Sequence, residues 1–473
     1  MSDRAGASGR RSALFGPKVV LARAVGAVSR RSGRGGGTTL PGRMLLRAAP
    51  DAMERLGAGL DQGTTIVSAT NGKTTTAAMI ASALDAAGRR PVHNRAGSNM
   101  AWGVTTALLE QRGTEGLFEV DEAWLPRVAE ALGPQLIVLG NLFRDQLDRY
   151  GELERLADEW SELVATLPAD CALALNADDP LVADLGRAEG GGFRPNVTYF
   201  GIEDTSQALG AMQHAHDAKH CRRCGAAYVY THTFVGHLGH YSCPNCDADR
   251  PDPSIAATRI ELRGIEGSTF DVATPAGPLT VELPVPGLYN VYNALAAIAA
   301  GLRLGLGPEQ VGGGLEAMRA VFGRVETIVV EGRPVSILLI KNPVGANEVL
   351  RTLALEARRG TPAGEGIDLW VALNDRIADG RDVSWVWDAD FELLAGIVRR
   401  VTCAGTRAPE MAVRLKYAGV PAERIEVSES IGESLDSARA AAPERLFALP
   451  TYTALLELRT LLSRRGLVEE YWR

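Results

Sequence analysis

The chain has 473 residues, of which 46% are hydrophobic and 23% charged, proportions that are ordinary for a soluble globular protein. This length exceeds what one compact core usually holds, so two or three domains are expected. There is no run of about 18 apolar residues, which argues against a membrane span, and the N-terminus lacks the apolar segment and cleavage site of a secretory signal.

Residues 1–50 form a basic N-terminal arm. They hold ten Arg and Lys residues against the single acid Asp3, a charge of +9, and since the whole chain carries −7, residues 51–473 carry −16. Apolar residues around Val20 and Val25 indicate either a helix in peripheral contact with an anionic membrane or a tail whose helix packs on the body. The acidic body argues against nucleic acid as a partner. We expect a cytoplasmic protein, with the inner face of the membrane as one possible location.

Strand and helix signals alternate after the arm. A helix-like stretch spans Met44–Leu60, and the β-branched run Thr64–Ser68 is typical of a short buried strand. An Ala-rich helix is predicted over Thr76–Gly88, with further strands over Gly116–Val120 and Gln135–Leu139. This alternation predicts an α/β fold with a parallel sheet covered on both faces.

The run Ala69–Thr76, Ala-Thr-Asn-Gly-Lys-Thr-Thr-Thr, lies between the first of these strands and the helix. That position is typical of a phosphate-binding loop (P-loop), in which backbone N–H groups and a helix N-terminus face anionic oxygens. Lys73 would neutralise the β- and γ-phosphates of ATP, the Thr74 hydroxyl would reach Mg²⁺, and Gly72 would let the backbone approach closely. An ordinary strand–helix turn is the alternative.

A segment rich in histidine and cysteine, residues 206–253, interrupts this pattern with six of the seven histidines and four of the six cysteines. Its two Cys-x-x-Cys pairs are eighteen residues apart, a spacing that predicts a zinc ribbon over about residues 218–249. The four cysteines are Cys221, Cys224, Cys243 and Cys246. Four thiolates close a zinc site, so structural Zn²⁺ is expected; a catalytic zinc would need His220, His237 or His240 in place of one thiolate.

A second α/β unit begins near Arg324. Its strand-like stretches lie around residues 335–340, 369–373, 399–403 and 446–449. We therefore predict a central domain over residues 51–322, which carries the ribbon, and a C-terminal Rossmann-like α/β domain over residues 323–473.

Several stretches, in order along the chain, resemble motifs of the Mur ligases, which add amino acids to peptidoglycan precursors. They are Thr70–Thr76, Asn94 with Gly97–Asn99, Glu119, Asn141–Asp148, Asn176–Pro180, Gly287–Asn293 and Gly323–Glu326. The resemblance implies a Mur-ligase-like P-loop domain, catalytic roles for Lys73 and Glu119, and Mg²⁺ held by Thr74 and Glu119. The residues that it implies for ATP binding are Thr70, Asn71, Gly72, Lys73, Thr74, Thr75, Asn290, Asn293 and Arg324.

Several residues depart from the Mur-ligase motifs, and these departures limit the class of substrate that the chain can bind. Ala69 replaces the first Gly of the loop, and Gln146 and Tyr289 replace two histidines. The stretch Leu338–Pro343 departs from the family's Asp-Tyr-Ala-His-Asn-Pro motif. The loop also begins near residue 69, which leaves little room for a preceding uridyl-nucleotide domain. These departures imply a substrate that is not held through UDP, for instance one attached to a lipid.

An acidic loop, residues 374–392, follows a predicted strand of the C-terminal unit and holds five Asp and two Trp residues. Loops at the carboxyl ends of parallel strands commonly carry binding or catalytic residues. The alternative is that Asp388 and Asp390 cap helices while the Trp side chains pack in the core.

The acidic loop, the stretch Lys341–Asn347 and the zinc ribbon resemble the MurT family, the Mur-ligase-like subunits of lipid II isoglutaminyl synthase. This resemblance implies ATP-dependent amidation of the D-glutamate α-carboxylate of the lipid II stem peptide through an acyl phosphate. It also implies a GatD-type glutaminase partner that supplies ammonia and whose Cys–His pair is completed by an Asp of this loop. Asp382 matches that position best, and Asp379 and Asp388 are the other candidates.

Two other functions stay open at this point. One is a ligase of the same fold that adds an amino acid, such as a folylpolyglutamate-type enzyme. The other is a non-catalytic scaffold that binds nucleotide and recruits partners through the ribbon. The chain shows no convincing Cys–His–acid set of its own, which favours glutamine hydrolysis on a separate subunit.

Overall fold

The computed structural model describes residues 15–31, 39–94, 97–144, 153–188, 191–211, 213, 216–318, 326–360 and 366–468. Gln146 and Arg324, which the sequence analysis singled out, lie outside these ranges, as do residues 1–14 of the basic arm. A search of the described helices finds none that is long and apolar enough to cross a membrane.

The strands form a large sheet, a second sheet and a hairpin. In chain order they are β1 (Thr64–Ser68), β2 (Val92–His93), β3 (Gly116–Glu119), β4 (Leu136–Leu139), β5 (Ala172–Asn176), β6 (Val197–Ile202), β7 (Val229–Val235), β8 (Leu238–Ser242), β9 (Ile255–Leu262), β10 (Ser268–Ala273), β11 (Leu279–Leu283), β12 (Glu326–Val330), β13 (Arg333–Ile337), β14 (Ile367–Ala372), β15 (Val398–Ala404), β16 (Ile425–Val427) and β17 (Leu446–Pro450). The large sheet has the order β11-β10-β9-β6-β5-β4-β1-β3-β2. Its pairs are parallel from β2 to β9, whereas β10 and β11 form an antiparallel edge.

Helices cover both faces of the large sheet. The helices are α1 (Phe15–Arg31), α2 (Leu40–Ala48), α3 (Ala52–Gly57), α4 (Lys73–Ala86), α5 (Ala101–Glu110), α6 (Leu125–Leu132), α7 (Leu153–Thr166), α8 (Pro180–Ala183), α9 (Leu288–Arg303), α10 (Pro308–Glu316), α11 (Pro343–Gly360), α12 (Ala408–Tyr417), α13 (Ile431–Ala441) and α14 (Tyr452–Arg464). Val67 of β1 faces the core under α4 and α9, while its neighbour Ile66 faces the core under α5, α6 and α7. The predicted parallel sheet between two helical layers is therefore confirmed, with the antiparallel edge as an addition.

The second sheet has the order β12-β13-β17-β14-β15-β16, and only β12 and β13 pair antiparallel within it. One face packs against α11 and α12 and the other against α13 and α14. The strands β7 and β8 form the separate antiparallel hairpin of the ribbon.

Two predicted helix boundaries are wrong. The Ala-rich helix begins at Lys73 rather than Thr76, because the loop runs directly into it after Gly72, which is left-handed with φ 90°. The stretch Met44–Leu60 forms two helices, α2 and α3, rather than one. Ala49 is extended with φ −146° and ψ 93°, as expected for a residue that precedes a proline, here Pro50.

The helix α1 packs on the body through its inward face. Ala22 lies in a small core with α2 and α5, Lys18 donates to the Ala48 carbonyl at 2.7 Å, and Arg23 donates to the Leu109 carbonyl at 2.8 Å. The outward face exposes Val20 and Val28. The alternative in which this helix packs on the body is therefore the one that the structure favours, although an apolar outer stripe remains.

Candidate active site

The P-loop joins β1 to α4 at the carboxyl edge of the large sheet. A side chain on Gly72 would place its Cβ 2.0 Å from Asn293 Oδ1, and its φ is 90°, so both space and backbone conformation require glycine there. Ala69 is not among the described non-glycine residues with positive φ, so it replaces the family's glycine without strain.

Lys73 is buried at the start of α4 and already holds a counter-ion. Its Nζ lies 2.7 Å from Glu122 Oε2 and 2.5 Å from the Ala69 carbonyl oxygen. Burial alone would lower the pKa of Lys73, but the nearby carboxylates of Glu122 and Asp121 outweigh it and raise that pKa. The ammonium group therefore keeps its charge inside the protein, where a triphosphate would compete with Glu122 for it.

The two residues predicted to hold Mg²⁺ lie side by side. The Thr74 hydroxyl donates to Glu119 Oε1 at 3.0 Å, and Asn99 donates to the same oxygen at 3.4 Å. Asn94 holds the Glu119 backbone, donating to its carbonyl at 2.8 Å and accepting from its N–H at 2.9 Å. A hydroxyl beside a carboxylate suits Mg²⁺, which prefers oxygen ligands and is commonly held by one or two carboxylates plus phosphate oxygens.

The other predicted ATP-binding residues surround this loop. Asn293 accepts a hydrogen bond from Thr76 at 3.3 Å and donates to Asn290 at 2.9 Å, so both asparagines lie beside the start of α4. The Thr70 hydroxyl donates to the Phe143 carbonyl at 3.3 Å. Thr75 is buried in the first turn of α4.

Asn71 connects the P-loop to the C-terminal unit. Its amide donates to Asn342 Oδ1 at 3.3 Å and accepts from Asn342 Nδ2 at 2.9 Å, across 271 positions of sequence. Asn342 also accepts from the Gly345 N–H at 2.9 Å, which fixes it at the start of α11. These hydrogen bonds join the P-loop to the C-terminal unit.

A cleft that is partly open to solvent lies between the P-loop and this unit. Asn71, Gly72 and Asn293 line its polar side, while Tyr289, Tyr292 and Val344 contribute apolar surface. The combination of a phosphate-binding loop with an apolar cleft beside it suits a nucleotide, whose base is flat and largely apolar. Glu122, Asn342 and Tyr292 were not among the predicted site residues. The only sequence signal for Glu122 was its place in the acidic run that includes Glu119.

The ribbon cysteines converge as predicted. The Sγ atoms are 3.4 Å apart for Cys224 and Cys243 and 3.6 Å apart for Cys221 and Cys246, and all four lie within 4.8 Å of one another. A tetrahedral zinc site with bonds of about 2.3 Å needs sulfurs about 3.8 Å apart, so the cluster fits Zn²⁺. Hydrogen bonds from the Ala226 N–H and the Asn245 amide lower the pKa of Cys224 to about 6. The Ala248 N–H acts in the same direction on Cys246, but burial and the neighbouring cysteines outweigh it and raise the pKa of Cys246 to about 12.

The histidines considered as alternative ligands are not part of this cluster in the described chain. His240 lies 2.8 Å from the Ile202 carbonyl oxygen through Nε2, and His237 faces Asp179. A closed four-thiolate site is the arrangement that the structure supports, which favours a structural metal.

The three candidate aspartates of the acidic loop lie in different surroundings. Asp379 is buried and accepts from the Thr453 N–H at 2.7 Å, whereas Asp382 is exposed and accepts from the Ser384 N–H at 2.8 Å. This hydrogen bond holds the pKa of Asp382 below its usual value, so it is a carboxylate at neutral pH. Asp388 lies 3.8 Å from Arg144 in an ion pair.

The alternative for the acidic loop, in which its aspartates cap helices and its Trp side chains pack in the core, agrees with the structure only in part. Asp390 accepts from Asn347 Nδ2 at 3.0 Å and makes no side-chain cap for the short helix that follows it. Trp385 packs against the core, but Trp387 is 50% exposed. Of the three candidates, Asp382 is exposed, Asp388 is half-buried and Asp379 is buried.

Solved structures and family matches agree with this fold. Residues 67–246 match the family described as Mur ligase middle domain, and residues 339–455 match the family described as MurT ligase C-terminal. A pseudomurein peptide ligase type C from Methanothermus fervidus superposes with a TM-score of 0.65 at 22% identity, covering 87% of this chain and 80% of that one. MurF from Acinetobacter baumannii gives 0.64 at 20% identity, over 90% and 80%. The fold and the family models thus define a protein of the Mur-ligase type.

Relatives that align over almost the whole chain identify its family within the Mur-ligase type. The MurT subunit of lipid II isoglutaminyl synthase (glutamine-hydrolyzing) from Streptococcus pneumoniae is 32% identical over 92% of this chain and 94% of its own length. The corresponding subunit from Staphylococcus aureus is 32% identical over 94% and 97%. The chain belongs to the MurT family, as its sequence motifs predicted.

Proposed function

We propose that this chain uses ATP to amidate the D-glutamate α-carboxylate in the stem peptide of lipid II. The observation that carries the proposal is the cluster of Lys73, Thr74 and Glu119 at the P-loop, in a chain whose relatives over most of its length are named subunits of lipid II isoglutaminyl synthase.

Each site residue would have a different role in phosphoryl transfer. Thr74 and Glu119 would hold Mg²⁺, which neutralises charge on the phosphates. Lys73 would break its ion pair with Glu122 and bind the β- and γ-phosphates instead. Arg324 is assigned to the γ-phosphate from the sequence resemblance. A carboxylate oxygen of the acceptor attacks the γ-phosphorus and ADP leaves, which produces an acyl phosphate. The nitrogen of ammonia then attacks the acyl carbon, phosphate leaves, and the amide forms. Catalysis is mainly positioning and charge neutralisation.

Ammonia would come from a GatD-type glutaminase subunit. Burial raises the pKa of Cys171 to about 11 and that of Cys403 to about 12, and the other four cysteines form the cluster that fits a metal ion. None of the six therefore suits a nucleophile. The exposed carboxylate of Asp382 would complete the partner's Cys–His pair.

The assay that tests this function reads the acceptor directly. The full chain, its glutaminase partner, glutamine and Mg·ATP are incubated with lipid II, and the released stem peptide is analysed by mass spectrometry. We expect an acid-to-amide change at D-glutamate that requires ATP. Addition of a whole amino acid would overturn the proposal in favour of an amino-acid ligase, and an unchanged peptide without ATP hydrolysis would favour a scaffold.

The outer face of α1 is apolar within a basic segment: Val20, Leu21 and Val28 are more than 60% exposed. An acceptor attached to a lipid would place this face near a membrane. We propose peripheral contact with anionic lipid through this face. Leu21→Glu should lower co-sedimentation with phosphatidylglycerol vesicles about fivefold or more. Val413→Glu, at an exposed position of α12, is the matched control. Equal binding of Leu21→Glu and the native chain would refute the contact.

A further inference from the structure

The tip of the zinc-ribbon hairpin reaches the cleft beside the P-loop. Val235 ends β7 and Leu238 begins β8, so both flank the turn. Both line the same cleft as Asn71 and Gly72, and both are almost fully buried. A module that the sequence presented as an insertion thus contributes surface to the candidate active site.

Contacts from the central unit hold the tip in place. His237, in the turn, is fully buried, with its ring centroid 4.8 Å from that of Phe143, another cleft residue. Its Nε2 lies 3.3 Å from Asp179 Oδ1. The Gly239 N–H donates to the Asp178 carbonyl at 2.9 Å. The tip is therefore seated on Asp178, Asp179 and Phe143, and the carbonyl of Phe143 accepts a hydrogen bond from Thr70 of the P-loop.

The C-terminal unit holds the tip from the other side. Arg351 of α11 donates from Nη1 to the Phe234 carbonyl of β7 at 2.7 Å, and the same nitrogen lies 2.8 Å from Glu348 Oε1. Glu348 is itself a buried cleft residue. The hairpin tip is consequently a third wall of the cleft, between the two α/β units.

The cluster of four cysteines lies at the opposite end of the same hairpin. Cys243 directly follows β8, so only the five residues of that strand separate it from the tip. A two-stranded hairpin is at best marginally stable by itself, and a metal at its base supplies the constraint that a small module needs. Metal bound by the cysteines would therefore keep Val235 and Leu238 in the cleft.

We propose that the ribbon tip is a wall of the pocket for the nucleotide base, and that metal at the four cysteines maintains the affinity for ATP. The inference rests on the proposed function, because it takes the cleft beside the P-loop as the ATP site. Leu238 and Val235 meet Phe143 and Tyr292 there as a largely apolar lining, which suits a flat ring. The ribbon then tunes binding of the base, while the loop binds the phosphates.

Calorimetric titration of Leu238→Ala with Mg·ATP and with magnesium tripolyphosphate separates the two parts. We expect the Kd for ATP to rise about tenfold, because truncation removes apolar contact with the base, while the Kd for tripolyphosphate stays unchanged. Val229→Ala, on the exposed part of β7, is the matched control and should bind both ligands like the native chain. Equal effects of Leu238→Ala on both ligands, or no effect, would overturn the inference. Failure of the native chain to bind ATP would instead overturn the proposed function.

Removal of the metal provides the second test. Chelator-treated full chain, with zinc content measured by plasma mass spectrometry, should lose affinity for ATP and keep its affinity for tripolyphosphate. Restored zinc should restore ATP binding in the native chain but not in Leu238→Ala. A stripped chain that is unfolded at the assay temperature would refute the role of the metal in ATP affinity and show a role in folding, while the zinc-loaded Leu238→Ala comparison would still test the wall of the pocket. Undiminished ATP affinity in a folded, zinc-free chain would refute the role of the metal.

Discussion

Replacing Lys73 with Met is expected to lower the rate of amide formation by about 10²–10³-fold, the range found when one preorganised donor to a developing charge is removed. Lys73 is a buried cation of the P-loop, so its loss would remove a charge that we propose binds the β- and γ-phosphates. Single-turnover formation of the amide from ATP and ammonia, followed by mass spectrometry, measures this without the glutaminase step.

The same substitution has a second consequence, for stability. It leaves Glu122 as a buried carboxylate without its partner at 2.7 Å, which costs about 3–5 kcal/mol for a broken buried ion pair. The double variant Lys73→Met with Glu122→Gln removes both charges and should recover most of that stability, measured by urea unfolding, without recovering turnover. A double variant that regained native turnover would show that the lysine acts only on folding.

The local part of this site was predictable from sequence, because the P-loop is formed by neighbouring residues. A β-branched strand, the turn at Gly72 and an Ala-rich helix all indicate the same structure. The close pairing of Thr74 with Glu119 followed from the family's motif order, since both lie at the carboxyl ends of adjacent strands. The Cys-x-x-Cys spacing likewise predicted a cluster that the structure contains.

The long-range part of the site was not predictable by such patterns. The reciprocal amide pair of Asn71 and Asn342 joins residues 271 positions apart, and nothing in either local sequence indicates the other. The ion pair of Lys73 with Glu122 depends on how β3 and the P-loop lie in the sheet. The division at residues 322 and 323 stays a prediction, as do the individual catalytic roles. The packing of distant segments, rather than local secondary-structure propensity, brings together the Asn71–Asn342 pair and the Lys73–Glu122 pair.

Replacing Asp382 with Asn is expected to abolish glutamine-driven amidation and to leave ammonia-driven amidation unchanged. Loss of the acid of a nucleophile–base–acid triad lowers the rate by about 10⁴-fold in the best-studied case, a serine protease, and we expect a loss of about 10²–10⁴-fold here. The exposed position of Asp382, outside the cleft lining, is the reason that the ligase half-reaction should survive. Parallel assays with glutamine and with ammonium chloride, in the presence of the partner, measure the two rates.

The neighbouring aspartates provide the controls for this experiment. Asp388→Asn removes another carboxylate of the same loop, one that already pairs with Arg144 at 3.8 Å, and should retain glutamine-driven turnover. Asp379→Asn alters a buried carboxylate that binds Thr453, so it should lower the melting temperature and both rates together. A selective loss in Asp388→Asn would move the triad role to that residue. Equal loss of glutamine- and ammonia-driven turnover in Asp382→Asn would refute the role altogether, because a carboxylate that serves only the partner's nucleophile has no part in the use of free ammonia.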